Sequence, residues 1–197
     1  MQAARWKLPQ LGVAVEVGLQ VPMTIVTTDP DRAKSFASTG PTVVKAIQDA
    51  RVKFGDEEKI GLTRLVDSND RFDDVRLAPT MLQRMVDKVA DLRLTVVGRQ
   101  CFAVRIVTPE FEGVDFRAVD PADCSYQVIE PPPAIADSCR VFMDQFGLRF
   151  GAFDFAEQSD GSFVFLECNP AGQWGWLEPP TGLRITESLV KLLAARE

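Results

Sequence analysis

Residues 148–170 read LRFGAFDFAEQSDGSFVFLECNP, two aromatic-rich runs on either side of Asp160-Gly161. A two-residue hairpin turn of type I′ needs φ > 0 at both central positions, which Asp-Gly tolerates. The runs therefore pair as antiparallel strands, and the turn sets their register. With 160 and 161 as the loop, Ser159 faces Ser162, and Asp154 lies directly opposite Glu167. Asn169 is two residues beyond Glu167 and projects from the same face. Three oxygen-bearing side chains thus converge at one end of the hairpin. Directly opposed carboxylates repel each other, at a cost of ~0.2–1 kcal/mol even when exposed. A cation between them turns that repulsion into ligation. The other reading is a solvated polar face that balances a buried one, and spacing alone leaves both open.

The chain has no histidine among its 197 residues. That excludes Ser-His-Asp and Cys-His catalysis, and any metal site must be built from oxygen ligands. Such ligands suit magnesium, manganese or calcium. The net charge of −6 argues against a nucleic-acid partner, because phosphate backbones are bound by clustered Lys and Arg. No apolar run is long enough for a membrane span, and the N-terminus has no apolar signal-peptide segment. The four cysteines, at 101, 124, 139 and 168, form no C-x-x-C pair. They read as free thiols of a reducing, cytoplasmic setting. Cys168 points away from the face that carries Glu167 and Asn169, which makes it a packing residue.

The remaining pattern gives an α+β class. Helices are expected over 8–19, 28–39, 132–147 and 183–197. Pro30 stands at the first helical position of the second, behind a Thr28 or Asp29 cap, and Gly147 closes the third. Strands are expected over 21–27, 41–47 and 60–66, with a hairpin about Gly98-Arg99 inside 78–109. Residues 48–59 are polar and charged and read as a loop.

The segment GAFDF…FVFLECNP resembles the nucleotide site of ATP-grasp ligases. In those enzymes an Asp on one strand and Glu-x-Asn on the next hold magnesium against ATP phosphates. PTVVK (41–45) resembles the strand whose lysine, here Lys45, touches phosphate. MLQRMVDKVADLRLTVVG (81–98) resembles the adenine-binding hinge and the Asp-Leu-Arg segment after it. VDFRAVDP (114–121) resembles a later strand with a second arginine. Within the superfamily the chain is most similar to the maturases of ribosomally made peptides, the graspetide or microviridin type. The pointers are residues 10–36, VADLRLTVVG and the closing NPAGQWGWLEPPTGLRITESLVKLL.

The resemblance implies an ATP-grasp fold of two α+β subdomains with the nucleotide between them. Residues 1–80 would form a linker helix and the small subdomain, and 81–197 the subdomain with the metal-binding hairpin. ATP would be the cofactor, with Mg2+ (or Mn2+) on Asp154, Glu167 and Asn169. Lys45, Gln83 and Lys88 would bind the nucleotide. Arg93 and Arg117 would clamp the transferring phosphoryl group. The implied activity makes acyl phosphates of Asp or Glu side chains in a precursor peptide that carries a leader. A Thr, Ser or Lys side chain then displaces phosphate to close an ester or amide macrocycle.

Blander roles stand beside these. Arg93 would pair with Asp91 or another surface acid, Arg117 with Asp115 or Asp120, and Lys45 and Lys88 would sit at the surface. The family usually carries a further N-terminal domain of roughly a hundred residues. The chain looks like the C-terminal two-thirds of such an enzyme, and the apolar face left over is expected to make it a homodimer. Two other departures are a stretch after Lys45 with a single glycine, and Arg84 where an acidic residue is usual. The alternatives to a peptide maturase are a non-catalytic nucleotide- or peptide-binding module, and a ligase for free amino acids or a protein tail.

Overall fold

The computed structural model describes residues 3–47, 51–54, 57–60, 63–66, 70–109 and 119–195. Arg117 lies outside them. In chain order the first elements are α1 (Lys7–Glu16), β1 (Thr24–Thr27), α2 (Pro30–Ser38), β2 (Thr42–Lys45), β3 (Arg51–Phe54), β4 (Glu57–Ile60), β5 (Arg64–Leu65) and β6 (Thr80–Arg84). Then come β7 (Ala90–Val97), β8 (Gln100–Val107), β9 (Ser125–Ile129), α3 (Pro133–Phe146), β10 (Phe150–Glu157), β11 (Phe163–Asn169), α4 (Glu178–Thr181) and α5 (Ile185–Ala194). The chain divides into two compact units, one of residues 1–21, 87–109 and 121–197, the other built mainly from 22–86. Helix α1 therefore belongs with the C-terminal strands, whereas the sequence reading grouped it with the small subdomain. It does so because Leu11 and Ala14 are buried and its residues pack on β11 and α3.

In the smaller unit an antiparallel sheet runs β1-β6-β2-β5. Asp29 accepts from the Asp31 N–H at 2.9 Å, so the expected cap and Pro30 start α2 as read. The stretch 48–59, expected as a loop, contains strand instead: β3 and β4 form an antiparallel pair. Arg51-Val52-Lys53-Phe54 alternates polar and apolar residues, a strand pattern that the high charge of the stretch obscures.

Arg84 ties this unit together. Its guanidinium donates to the Gly40 carbonyl, to Thr42 Oγ1 at 2.9 Å, to Phe36 O at 3.1 Å and to Thr39 Oγ1 at 2.6 Å, and it lies 4.5 Å from the Phe36 ring centroid. It satisfies carbonyls at the end of α2, where a cation also meets the helix dipole favourably. The residue that departs from the family pattern thus has a structural task. Arg84→Ala should destabilise this unit by about 2 kcal/mol, since hydrogen bonds from a charged donor are lost. Far-UV circular dichroism during urea unfolding is the readout.

The larger unit is an antiparallel sheet in the order β11-β10-β7-β8-β9. The expected hairpin is present: β7 and β8 pair as far as Val97 opposite Gln100, with Gly98 at φ +60° in the turn. Helix α3 packs on one face, where Phe142 lies 5.3 Å from Phe153 and 5.6 Å from Phe165 between ring centroids. Those three rings and Phe155 are fully buried. Burial of each contributes about 1.5–3 kcal/mol. On the opposite face, Ile185 and Leu189 of α5 cover Val97 and Phe102, with Phe150 and Trp174 alongside. The same face carries Arg93 and Asp154, opposite each other, and with them the candidate site.

Candidate functional site

The strands place three charged groups in one row, and α1 adds a fourth. Asp154 on β10 is directly opposite Arg93 on β7 and Glu167 on β11. Arg93 Nη1 lies 2.9 Å from both carboxylate oxygens of Asp154. Beyond Glu167, its Oε2 meets the Lys7 ammonium at 2.9 Å. Asn169 is exposed on the same strand, opposite Ala152, and its Oδ1 accepts from the Ala171 N–H at 2.9 Å.

The expected opposition of Asp154 and Glu167 is present, but two irregularities produce it. The turn is one residue longer than read: Gln158 receives the Gly161 N–H and donates to Ser162 O, each at 2.9 Å, and Glu157 faces Phe163. A one-residue bulge between Asp154 and Phe155 on one side, and Phe165 and Glu167 on the other, takes the offset back out. Gly161 holds φ +81°, as the αL residue of a three-residue loop should. Bulges commonly re-aim side chains next to functional sites.

The loop after β11 crosses close over this face. A Cβ on Gly172 would come 2.6 Å from the Cβ of Ala152, so only glycine fits. The two tryptophans meet different neighbours. Trp174 packs 5.4 Å from Phe150 and donates its Nε1–H to Thr186 Oγ1 at 2.9 Å. Trp176 lies over Arg93, 5.8 Å from ring centroid to guanidinium carbon, and meets the Tyr126 ring edge-on.

Thr186 also links α5 to Glu178. Its N–H and its hydroxyl each donate to the Glu178 carboxylate at 2.8 Å. The backbone bond first, then the hydroxyl bond, hold that carboxyl below its ordinary value of 4.5. A carboxyl depressed on folding stabilises the folded state above its unfolded pKa, and loses that contribution as pH falls through the lower folded value. Acidification below about pH 4 should therefore loosen the start of α5 and shift tryptophan emission to the red. Glu178→Gln should flatten that pH response.

The other expected residues are placed as follows. Lys45 is half-buried at the end of β2, opposite Met81. Gln83 is 1% exposed at the centre of the smaller sheet and donates its amide to Thr24 Oγ1 at 3.0 Å. Lys88 binds both oxygens of Asp91, at 2.7 and 2.6 Å, so Asp91 is the partner of Lys88 rather than of Arg93. Cys168 and Cys139 are buried, and burial pushes both thiols up, which suits packing rather than nucleophilic roles. Sequence reasoning missed Lys7, Gln10 and Tyr126, which reach the site through tertiary packing that no local spacing announces.

A divalent cation fits this donor set. Two carboxylates and an amide oxygen are hard ligands, and an ammonium already sits against one of them. Among the described residues no cluster of three or more His, Cys, Asp and Glu side chains could hold a metal, so Asn169 would have to complete the set. Among those residues the buried side-chain atoms without a hydrogen-bond partner are Arg93 Nε and Thr95 Oγ1. The first belongs to the guanidinium that holds Asp154.

No protein-family model matches the chain, and a search of curated proteins returned no match. The fold is nonetheless recognisable among solved structures: it is the α+β architecture of ATP-grasp ligases, present in part. The chain is similar to the RiPP-associated ATP-grasp ligase of Chryseobacterium gregarium, in complex with ADP and a leader and core peptide. That match has TM-score 0.88 and 28% identity, over 98% of this chain and 60% of that one. It is similar to macrocyclase MdnC of Microcystis aeruginosa, bound with precursor peptide MdnA, with TM-score 0.82 and 29% identity over 98% and 62% of the two chains. It is also similar to ATP-grasp ligase PsnB complexed with minimal precursor, Mg and ADP, with TM-score 0.76 and 26% identity over 98% and 59%. The chain thus spans about 60% of the length of these structures. Among the described residues no helix is long and apolar enough to cross a membrane.

Proposed function

We propose that the chain binds Mg-ATP and serves an ATP-dependent ligase that activates Asp or Glu side chains of a ribosomal precursor peptide for macrocyclisation. The observation that carries this reading is the row of Arg93, Asp154 and Glu167 directly opposite one another, with Asn169 on the same face. Asp154, Glu167 and Asn169 would hold Mg2+, or Mn2+ in its place. Bound Mg-ATP supplies the phosphoryl group that turns a carboxylate into an acyl phosphate.

The chain's own residues neutralise charge and orient the reactants, which is most of what phosphoryl transfer asks of a protein. Arg93 is held by Asp154 and Trp176, and its Nε–H is buried without a partner. A fork held in place in this way stabilises charge on a phosphoryl group better than a mobile lysine does. Lys45 supplies a point charge for phosphate. Gln83 and Lys88 are taken up by Thr24 and Asp91, so this reading gives their side chains supporting roles. Arg117 would be the second clamp. A carboxylate nucleophile needs no base, which agrees with a chain that has no histidine.

The peptide substrate is inferred from the structural neighbours that hold leader, core or precursor peptides. Self-association belongs to the same reading: Trp6, Leu8 and Val15, on and beside α1, stay exposed, and light scattering should report a dimer. The activity is tested with Mg-ATP, hydroxylamine and peptides that carry Glu or Asp together with Thr, Ser or Lys. Peptide-dependent ADP release with hydroxamate on an acidic side chain is the expected result. ADP release that ignores the peptide, with no hydroxamate, would overturn the ligase reading.

A further inference from the structure

Helix α1 reaches strand β11 with two side chains one turn apart. Gln10 is 3% exposed, and its amide forms a two-way pair with the backbone of Cys168. Nε2 donates to Cys168 O at 2.7 Å, and the Cys168 N–H donates to Oε1 at 2.8 Å. The same Nε2 donates to Ala4 O at 2.6 Å. The side chain thus acts as a short extra strand on the edge of β11, at the residue between Glu167 and Asn169. This fixes α1 there, and Lys7, three residues earlier, hangs over Glu167. The two side chains are only 19% and 23% exposed, so the contact is weakly screened.

The row Lys7, Glu167, Asp154 and Arg93 holds two cations and two carboxylates, and its charges cancel. A bare divalent cation must displace the ammonium from Glu167 and then leaves the row with excess positive charge. A divalent cation that arrives on a nucleoside polyphosphate brings compensating negative charge. It also brings phosphate oxygens to which the displaced ammonium can donate, on a flexible four-carbon stem.

We propose that Lys7 is a specificity-determining cation of this site, one that makes Glu167 refuse the free metal and accept the metal–nucleotide complex. The inference rests on the reading of Asp154 and Glu167 as a metal–nucleotide site. Lys7→Met keeps the bulk of the stem and removes the charge, and Lys7→Arg keeps the charge. The full chain is titrated with Mn2+ alone, followed by electron paramagnetic resonance of the free ion, and with Mn-ADP, followed by calorimetry. Lys7→Met should bind Mn2+ alone about fivefold more tightly and Mn-ADP about fivefold more weakly, the scale of one partly screened charge pair. Lys7→Arg should restore both. A merely structural role would weaken both together, so shifts of the same sign, or none, overturn the inference while leaving the metal-site reading in place. If the wild-type chain binds neither Mn2+ nor Mn-ADP, the metal-site reading falls and takes this inference with it.

Discussion

Arg93→Ala should destabilise the larger unit by about 3 kcal/mol, because it takes the guanidinium from a nearly buried carboxylate. The side chains of Arg93 and Asp154 are 10% and 16% exposed and share one guanidinium nitrogen at 2.9 Å. Removing the guanidinium takes a close counter-charge from a carboxylate in a poor solvent. Replacing both with apolar residues removes the desolvation cost along with the attraction, so Arg93→Met/Asp154→Leu should regain most of the loss. Trp6, Trp174 and Trp176 all lie in this unit, so tryptophan fluorescence during unfolding reports on it alone. The single variant should lower the thermal midpoint by roughly 10 °C, at a few degrees per kcal/mol for a chain of this size. Equal losses in the single and double variants would mean that the pair does not hold the site together.

Glu167→Gln should weaken Mg-ADP binding by about tenfold or more, on the scale of disrupting a metal site's supporting ligands. The amide keeps the shape of the side chain and the pairing of β11, so circular dichroism should be unchanged. The charge facing the cation is gone, and with it the ion pair to Lys7. Asp154→Asn should act in the same direction. Asn169→Ala should act more weakly, because it removes a neutral ligand. Chelation supplies the control: EDTA should depress nucleotide binding by the wild-type chain and leave Glu167→Gln little changed. Wild-type affinity in Glu167→Gln would remove the carboxylate from the site.

The larger sheet was legible because its signals are local. Asp160-Gly161 and Gly98-Arg99 mark the turns, and the aromatic runs on either side of Asp160-Gly161 read as strands. Gly147 and Pro30 mark helix ends through backbone conformations that few other residues offer. The expected pairing of Asp154 with Glu167 shows the limit of such counting. A longer turn and a bulge each shift the register by one residue, and they cancel only by the time the strands reach the site. Neither is written in residue spacing, because a bulge depends on what packs against the strand.

The polar part of the site was less legible still. Lys7 lies 160 residues from Glu167, and Gln10 lies 158 from Cys168. Only folding brings them together. Arg84 reads in the sequence only as a departure from the family pattern, yet it holds the end of α2. Residues 48–59 read as a loop because their charge outweighs a two-residue alternation.

The central claim is that the β10–β11 hairpin holds a divalent cation together with a nucleotide. Crystals of the full chain grown with Mn-ADP, and measured at the manganese absorption edge, test it most directly. The account predicts an anomalous peak within ligand distance of Asp154, Glu167 and Asn169, with the Lys7 ammonium withdrawn from Glu167 Oε2. ADP bound with no manganese at those three side chains, or manganese held elsewhere on the chain, would contradict it.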